Sequence, residues 1–64
     1  MKFHIQDMTC GGCATRVTKT VHALDPAATV ETDVPAKVVT IQSAAPEAQI
    51  VAALTEAGYP PKAL

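Results

Sequence analysis

The spacing of the apolar residues changes along this chain and limits the folds that are open to it. At the amino terminus, Phe3 and Ile5 alternate with polar residues, which is the period-two pattern of a half-buried strand. After Cys13 the apolar residues recur at intervals of three and four, as on an amphipathic helix. This stripe consists of Ala14, Val17, Val21 and Leu24. Because Pro26 disfavours helical geometry at the residue before it, we expect the helix to end at Asp25.

The middle of the chain predicts a hairpin. A weakly alternating segment over 28–33 is followed by a turn over 34–37, where Pro35 supplies a backbone angle suited to turns. Residues 38–42 are rich in β-branched side chains, which favour strands, and Val39 and Ile41 should face inward.

A second helix and a short last strand are predicted after the hairpin. Pro46 fits the first turn of this helix, and Gly58 can adopt the left-handed conformation that ends it. Its buried stripe should consist of Ile50, Ala53, Leu54 and Ala57. Pro60 and Pro61 cannot donate to a ladder, so the last strand should be short and lie at a sheet edge.

The predicted order of elements is therefore β-α-β-β-α-β. Right-handed crossovers then place both helices on one face of a four-stranded antiparallel sheet, which is the ferredoxin-like sandwich of the α+β class. A chain of 64 residues has room for a single core, so residues 1–64 should form one domain. This fold alone implies no function.

Charge and hydropathy exclude several classes of function. The chain is 48% hydrophobic and 17% charged, which is too apolar for a disordered protein. Its net charge of −1 argues against nucleic acid as the main ligand. No apolar run approaches the roughly 20 residues of a membrane helix, and the sequence turns polar too early for a secretory signal. We therefore expect a cytoplasmic protein. With 3% aromatic residues the chain can hardly enclose a deep pocket, so we do not expect an enzyme.

The two cysteines are the most conspicuous candidates for chemistry. Cys10 and Cys13 lie three residues apart, where the first strand gives way to the first helix. Unpaired N–H groups at a helix start favour thiolate over thiol. We expect Gly11 and Gly12 to let the loop bend so that both sulfurs point at one site. In a cytosolic chain this pattern indicates metal or redox chemistry.

Ligand counting narrows the choice of metal. Soft thiolates select Cu(I), zinc or iron–sulfur clusters, but a cluster needs four cysteines and a closed zinc site needs four ligands. His22 lies about 13 Å along the helix from Cys13 at about 1.5 Å per residue, and His4 is on the solvent side of its strand. We expect both histidines to be surface residues. Two-coordinate binding suits Cu(I) and Hg(II) alike.

A redox role is the alternative to metal binding, and it would place the protein in a different functional class. Cys-x-x-Cys at a helix start is also how thioredoxin-like proteins present their nucleophile, although their fold needs a longer chain and another strand order. A small thiol–disulfide oxidoreductase would be distinguished by its dithiol reduction potential and its Cu(I) affinity.

Two segments carry a family resemblance: Asp7-Met8-Thr9-Cys10-Gly11-Gly12-Cys13-Ala14, followed by Val17, and Glu56-Ala57-Gly58-Tyr59. They resemble the heavy-metal-associated domain family, and more narrowly its small bacterial Atx1-like and CopZ-like copper chaperones. The resemblance covers essentially the whole chain. It implies that Cys10 and Cys13 bind Cu(I) and that the metal passes by thiolate exchange to the soluble domain of a copper-transporting P-type ATPase. It also implies that Met8 is a buried loop anchor and that Tyr59 lies close to the metal loop.

The sequence departs from this family at two places. Asp7 stands where glycine is common, and the double proline at 60 and 61 is unusual. The alternatives within the family are a metal-binding domain of such an ATPase and a mercury or zinc carrier. Met1 directly before the first strand and the end at Leu64 favour a free-standing chaperone, and a mercury scavenger would be expected to carry an export signal.

Partner binding is predicted beside the cysteines. Arg16 and Lys19 follow Cys13 at spacings of three and line one face of the helix. They form either a simple solvated face or a basic stripe that docks an acidic partner surface. A two-sulfur site also leaves Cu(I) able to accept a third sulfur, which predicts a metal-bridged homodimer that glutathione competes against.

Overall fold

The computed structural model describes residues 1–64 and has the predicted order of elements. These are β1 (Lys2–His4), α1 (Gly11–Leu24), β2 (Thr29–Asp33), β3 (Val38–Gln42), α2 (Glu47–Glu56) and β4 (Lys62–Ala63). The strands form one antiparallel sheet in the spatial order β2-β3-β1-β4. The ferredoxin-like βαββαβ sandwich is therefore confirmed. No helix is long and apolar enough to cross a membrane.

The central strands place their alternating apolar residues toward the helices, as predicted. Phe3 pairs with Val39 across β1 and β3, and both side chains are fully buried together with Ile5 and Ile41. One core contains all the buried residues: Phe3, Ile5, Met8, Ala14, Val17, Val21, Ala28, Val39, Ile41, Ile50, Leu54 and Tyr59.

Helix α1 begins earlier than expected, and its buried stripe is shorter. Gly11 and Gly12, expected in the loop, form its first residues, and Leu24, expected in the stripe, is 40% exposed. Leu24 is the last helical residue, and the next residue, Asp25, has an extended backbone. Asp25 ends the helix as predicted, and its N–H donates to Val21.

The carboxylate of Asp25 ties this helix end to the loop between β3 and α2. It accepts hydrogen bonds from the Ser43 hydroxyl at 2.7 Å, from the Ala44 N–H at 3.1 Å and from the Ala27 N–H at 3.1 Å. The hydroxyl of Ser43 lowers the pKa of Asp25 most, with the two backbone donors next.

The carboxyl end of α2 fixes the position of Tyr59. Gly58 has φ 94°, the left-handed conformation that was expected of it. The N–H of Gly58 donates to Thr55 at 3.1 Å and the N–H of Tyr59 donates to Leu54 at 2.8 Å, which is the Schellman pattern of a helix end. Pro46 precedes α2 as its N-cap, and Ala57 is exposed rather than part of the buried stripe.

The β2–β3 hairpin and β4 flank the end of β1 that leads to the cysteines. In the hairpin Lys37 has φ 59°, and its carbonyl accepts the N–H of Ile5 at 2.8 Å. Strand β4 has two residues and pairs only with β1, so the expected short edge strand is present.

Candidate metal centre

Residues 5–13, which we call the cysteine loop, connect β1 to the first turn of α1. Ile5 and Met8 are fully buried, and the N–H of Met8 donates to the carbonyl of Ile5 at 3.1 Å. Met8 therefore holds the loop against the core. Its buried thioether has the position of the loop anchor that the resemblance implies.

The two cysteines face each other at the end of this loop. Cys10 is the N-cap of α1 and Cys13 lies in its first turn, so the sulfurs come within 3.3 Å, with the Cys10 thiol donating to Cys13 Sγ. Cys10 is exposed, whereas Cys13 is half-buried and packs against the core. Neither cysteine forms a disulfide.

The glycines between the cysteines do not bend the loop, which corrects our expectation. Neither has a positive φ, because both are ordinary helical residues, and the chain changes direction at Cys10, whose backbone is extended. A Cβ on Gly11 would meet no atom within 4 Å, and one on Gly12 would lie 3.8 Å from Cys10 Sγ. The absence of a side chain at Gly12 leaves space beside the sulfur.

The surroundings of Cys13 favour its thiolate. Its pKa falls to about 6, chiefly because of the Tyr59 hydroxyl, and then because of the backbone of Thr9 and the thiol of Cys10. Its sulfur also lies 3.3 Å from Cys10 Sγ and 4.0 Å from Thr9 Oγ1. Near pH 7, Cys13 is mainly a thiolate, and Tyr59 is the largest cause.

Tyr59 interacts both with Cys13, a candidate metal ligand, and with the cationic side chain of Arg16. It is 7% exposed, and its pKa is raised by Cys13 and by burial, while the guanidinium of Arg16 opposes this rise. Arg16 therefore interacts with Tyr59 as well as lying on the helix face where docking was predicted. Sequence reasoning missed this role, although the spacing from Cys13 to Arg16 had placed them on one face. Lys19 is exposed further along α1.

The histidines do not join the cysteines. His22 Nε2 lies 2.9 Å from the carbonyl of Ala28, and His4 is half-buried on β1. No group of three or more His, Cys, Asp or Glu side chains converges on one point. The donor set at the loop is thus two soft sulfurs, open to solvent at Cys10, which suits soft metal ions.

Comparisons with known proteins identify the family of this chain. Residues 2–60 match the heavy-metal-associated domain family, and the chain belongs to that family. No curated protein matches at a significant level.

Three solved structures illustrate the similarity. A crystal structure of a gold binding protein is 52% identical with a TM-score of 0.95, and the match covers 97% of this chain and 95% of that one. The trimeric form of the copper chaperone Atx1 from Synechocystis PCC6803 is 39% identical with a TM-score of 0.93, covering 97% and 98%. A cyanobacterial copper metallochaperone, solved in solution, is 37% identical with a TM-score of 0.79, covering 97% of each chain. The fold is therefore that of the Atx1-like copper chaperones.

Proposed function

We propose that this protein is a cytoplasmic copper chaperone that binds Cu(I) through Cys10 and Cys13. The observation that carries the proposal is the pair of free sulfurs 3.3 Å apart, one of them exposed and the other with a pKa of about 6. Such a site takes a soft ion without needing further protein ligands. Two of the similar structures are copper chaperones, which favours copper as the cargo.

Metal entry requires the two sulfurs to separate. With metal–sulfur distances of about 2.3 Å, even a tetrahedral angle holds two sulfurs about 3.8 Å apart, and wider angles hold them further apart. The sulfurs lie 3.3 Å apart in the structure, so one of them must move outward. Cys10 is the exposed one, while Cys13 is packed against the core, so Cys10 moves and also gains access to a partner.

Transfer follows from the same asymmetry. An incoming partner thiolate attacks the metal from the Cys10 side, and a three-coordinate intermediate forms. Cys10 then leaves, a second thiolate of the partner binds the metal, and Cys13 leaves last. Each step therefore exchanges one metal–sulfur bond for another. The partner is the soluble domain of a copper-transporting P-type ATPase, and the protein carries metal without catalysing a reaction.

Docking is assigned to the basic stripe of Arg16 and Lys19. Both side chains are exposed on α1, and Arg16 lies within three residues of Cys13. An acidic partner surface would be steered toward the cysteine loop by these charges. In the absence of a partner, a second copy supplies the third sulfur and forms a metal-bridged homodimer, which glutathione reverses.

A second soft ion is a specific alternative cargo. The gold binding protein is 52% identical over nearly the whole chain, and Au(I) is, like Cu(I), a soft monovalent ion. A competition titration of Cu(I) against Au(I) at one defined thiol concentration shows which ion the protein binds more tightly.

Single-cysteine variants test the proposal. Cys10→Ser and Cys13→Ser should each abolish tight Cu(I) binding, measured anaerobically against a chromogenic chelator, while thermal unfolding stays cooperative. Thr15→Ser, on the exposed side of α1, is the matched control. An affinity of either cysteine variant within tenfold of wild type, about 1.4 kcal/mol, would contradict the two-sulfur site.

A further inference from the structure

A polar cleft lies at the same end of the molecule as the cysteine loop. It has a volume of about 360 Å³ and no hydrophobic lining residue. Its walls are formed by His4, Gln6, Asp7, Pro60, Pro61 and Lys62. The metal site described above uses none of these side chains.

The sheet register brings two polar side chains of the cleft, His4 and Lys62, together. Phe3 and Ile5 are fully buried, so the alternation along the chain directs His4 to the opposite face of the sheet. His4 is the cross-strand partner of Lys62 on β4, and cross-strand partners project from the same face. An imidazole and an ammonium therefore stand side by side, on the face that the helices do not cover.

A carboxylate and two prolines complete the cleft. Asp7, at the beginning of the cysteine loop, brings the negative charge, and Pro60 and Pro61 form a wall without N–H donors. The cleft thus presents charges of both signs within a space at the lower end of the range for small-ligand sites, about 300–1,000 Å³.

The cleft is joined to the cysteines through both of its loops. Asp7 precedes Cys10 by three residues, and Pro60 directly follows Tyr59, whose hydroxyl acts on Cys13. Both loops that line the cleft therefore lead directly to residues of the sulfur pair or in contact with it.

We propose that this cleft binds the charged groups of a small peptide thiol, so that its sulfur is placed to complete the coordination of the bound metal. Lys62 and His4 suit carboxylates, and Asp7 suits an ammonium, which together match an amphoteric peptide such as glutathione. As the new metal–sulfur bond forms, the thiol proton passes to solvent. The thiol step rests on the proposed copper function, whereas binding of the charged groups does not.

This site distinguishes peptide thiols from simple ones. A neutral thiol reaches the metal only by its sulfur, while a peptide thiol is also held by Asp7 and Lys62. We therefore expect glutathione to return the Cu(I)-loaded dimer to monomer at a concentration at least fivefold lower than 2-mercaptoethanol does.

The decisive experiment uses the apo protein and S-methylglutathione, whose sulfur is blocked and cannot ligate metal. Titration followed by ¹⁵N–¹H correlation spectra should shift the amides of His4, Asp7 and Lys62 with saturation. Asp7→Asn and Lys62→Gln should each raise the Kd at least fivefold. Glu31→Gln and Lys2→Gln, which change the same charges outside the cleft, should leave the Kd unchanged.

The outcomes separate the two proposals. An absence of saturable shifts in the cleft, or a Kd unaffected by Asp7→Asn and Lys62→Gln, would overturn the cleft assignment whatever metal the cysteines bind. Normal binding of S-methylglutathione by a protein that fails to bind Cu(I) would instead overturn the copper function and leave the cleft standing.

Discussion

The hydroxyl of Tyr59 acts on the sulfur of Cys13 between the end of α2 and the first turn of α1, and it is the main reason that the pKa of Cys13 falls to about 6. The two residues are 46 positions apart in the sequence, from 13 to 59, and a helix-end motif brings them together. The acidity of the metal site therefore depends on how α2 ends.

Tyr59→Phe should raise the pKa of Cys13, because the ring stays in place while the group that favours the thiolate is removed. The pKa is measured from thiolate absorbance or from the rate of alkylation against pH in a Cys10→Ser background, which isolates one sulfur. Cu(I) affinity should then fall more at pH 6.5 than at pH 9, because protons compete more strongly with the metal. An unchanged titration curve in the variant would contradict the role of Tyr59.

The same pairing predicts how the stability of the apo protein depends on pH. The folded pKa of Cys13 is lowered from its ordinary value of 9.0 to about 6, so the thiolate contributes stability that is fully present above the unfolded pKa. This contribution is lost as the pH falls from about 9 through about 6. The free energy of unfolding, measured with denaturant, should be lower at pH 6 than at pH 9. This difference should be smaller in Tyr59→Phe than in wild type.

Asp25→Ala should lower the Tm at pH 7 by several degrees, because three hydrogen bonds to its carboxylate are lost at once. The pKa of Asp25 is lowered, first by Ser43, so its contribution is present above the unfolded pKa and disappears as the pH falls through the folded one. The variant and wild type should therefore converge in strong acid. Glu31→Ala is the control, and an equal Tm difference at pH 7 and pH 2 would contradict the assignment.

Apolar periodicity predicts the fold because it records which face of each element is buried. Phe3, Ile5, Val39 and Ile41 all lie in the core, as their alternation indicates. The start of α1 could not be predicted in the same way, since Gly11 and Gly12 have low helix propensity and are helical only in the context of the folded loop.

The electrostatics of the site could not be predicted from the sequence, for a related reason. The unpaired amides at the start of α1 were expected to favour the thiolates, whereas the leading cause of the low pKa of Cys13 is a hydroxyl from the other half of the chain. The acidic neighbour Asp7 likewise gains its place in a cleft only through the pairing of β1 with β4. Such relationships depend on tertiary contacts and leave no periodic pattern.

Lys37→Gly should stabilise the protein by about 0.5–1 kcal/mol. Lys37 has φ 59°, and a left-handed conformation costs a non-glycine residue about 1–2 kcal/mol, part of which is offset by the greater freedom of glycine in the unfolded chain. Lys37→Ala retains the strain and removes the same side-chain charge, so it is the matched control. Urea unfolding in which both variants have the same stability would contradict this account of the turn.

Reversing the charge of Lys19 should slow copper transfer to an acidic partner domain, with an effect that shrinks as salt is added. Arg16→Glu should slow transfer as well, but it should also raise the pKa of Tyr59 further, because the guanidinium of Arg16 lowers that pKa. Stopped-flow transfer rates at low and high ionic strength separate these effects. Lys2→Glu, at the far end of β1, is the control. If Lys19→Glu transferred copper at the wild-type rate at low salt, Lys19 would belong to a simple solvated face without a docking role.

Loading with Cu(I) should convert the protein from monomer to dimer at high protein concentration. Two sulfurs leave the ion able to accept a third, and the exposed Cys10 of a second copy can supply it. Facing loops form a two-fold contact in which the same surface of each copy takes part. Sedimentation velocity of apo and loaded protein measures the change, and millimolar glutathione should reverse it. Cys10→Ser, which lacks the exposed sulfur, is the control and should stay monomeric under the same copper load. A wild-type protein that holds one Cu(I) per chain and still sediments as a monomer without added thiol would show that the third coordination position is closed to a second copy.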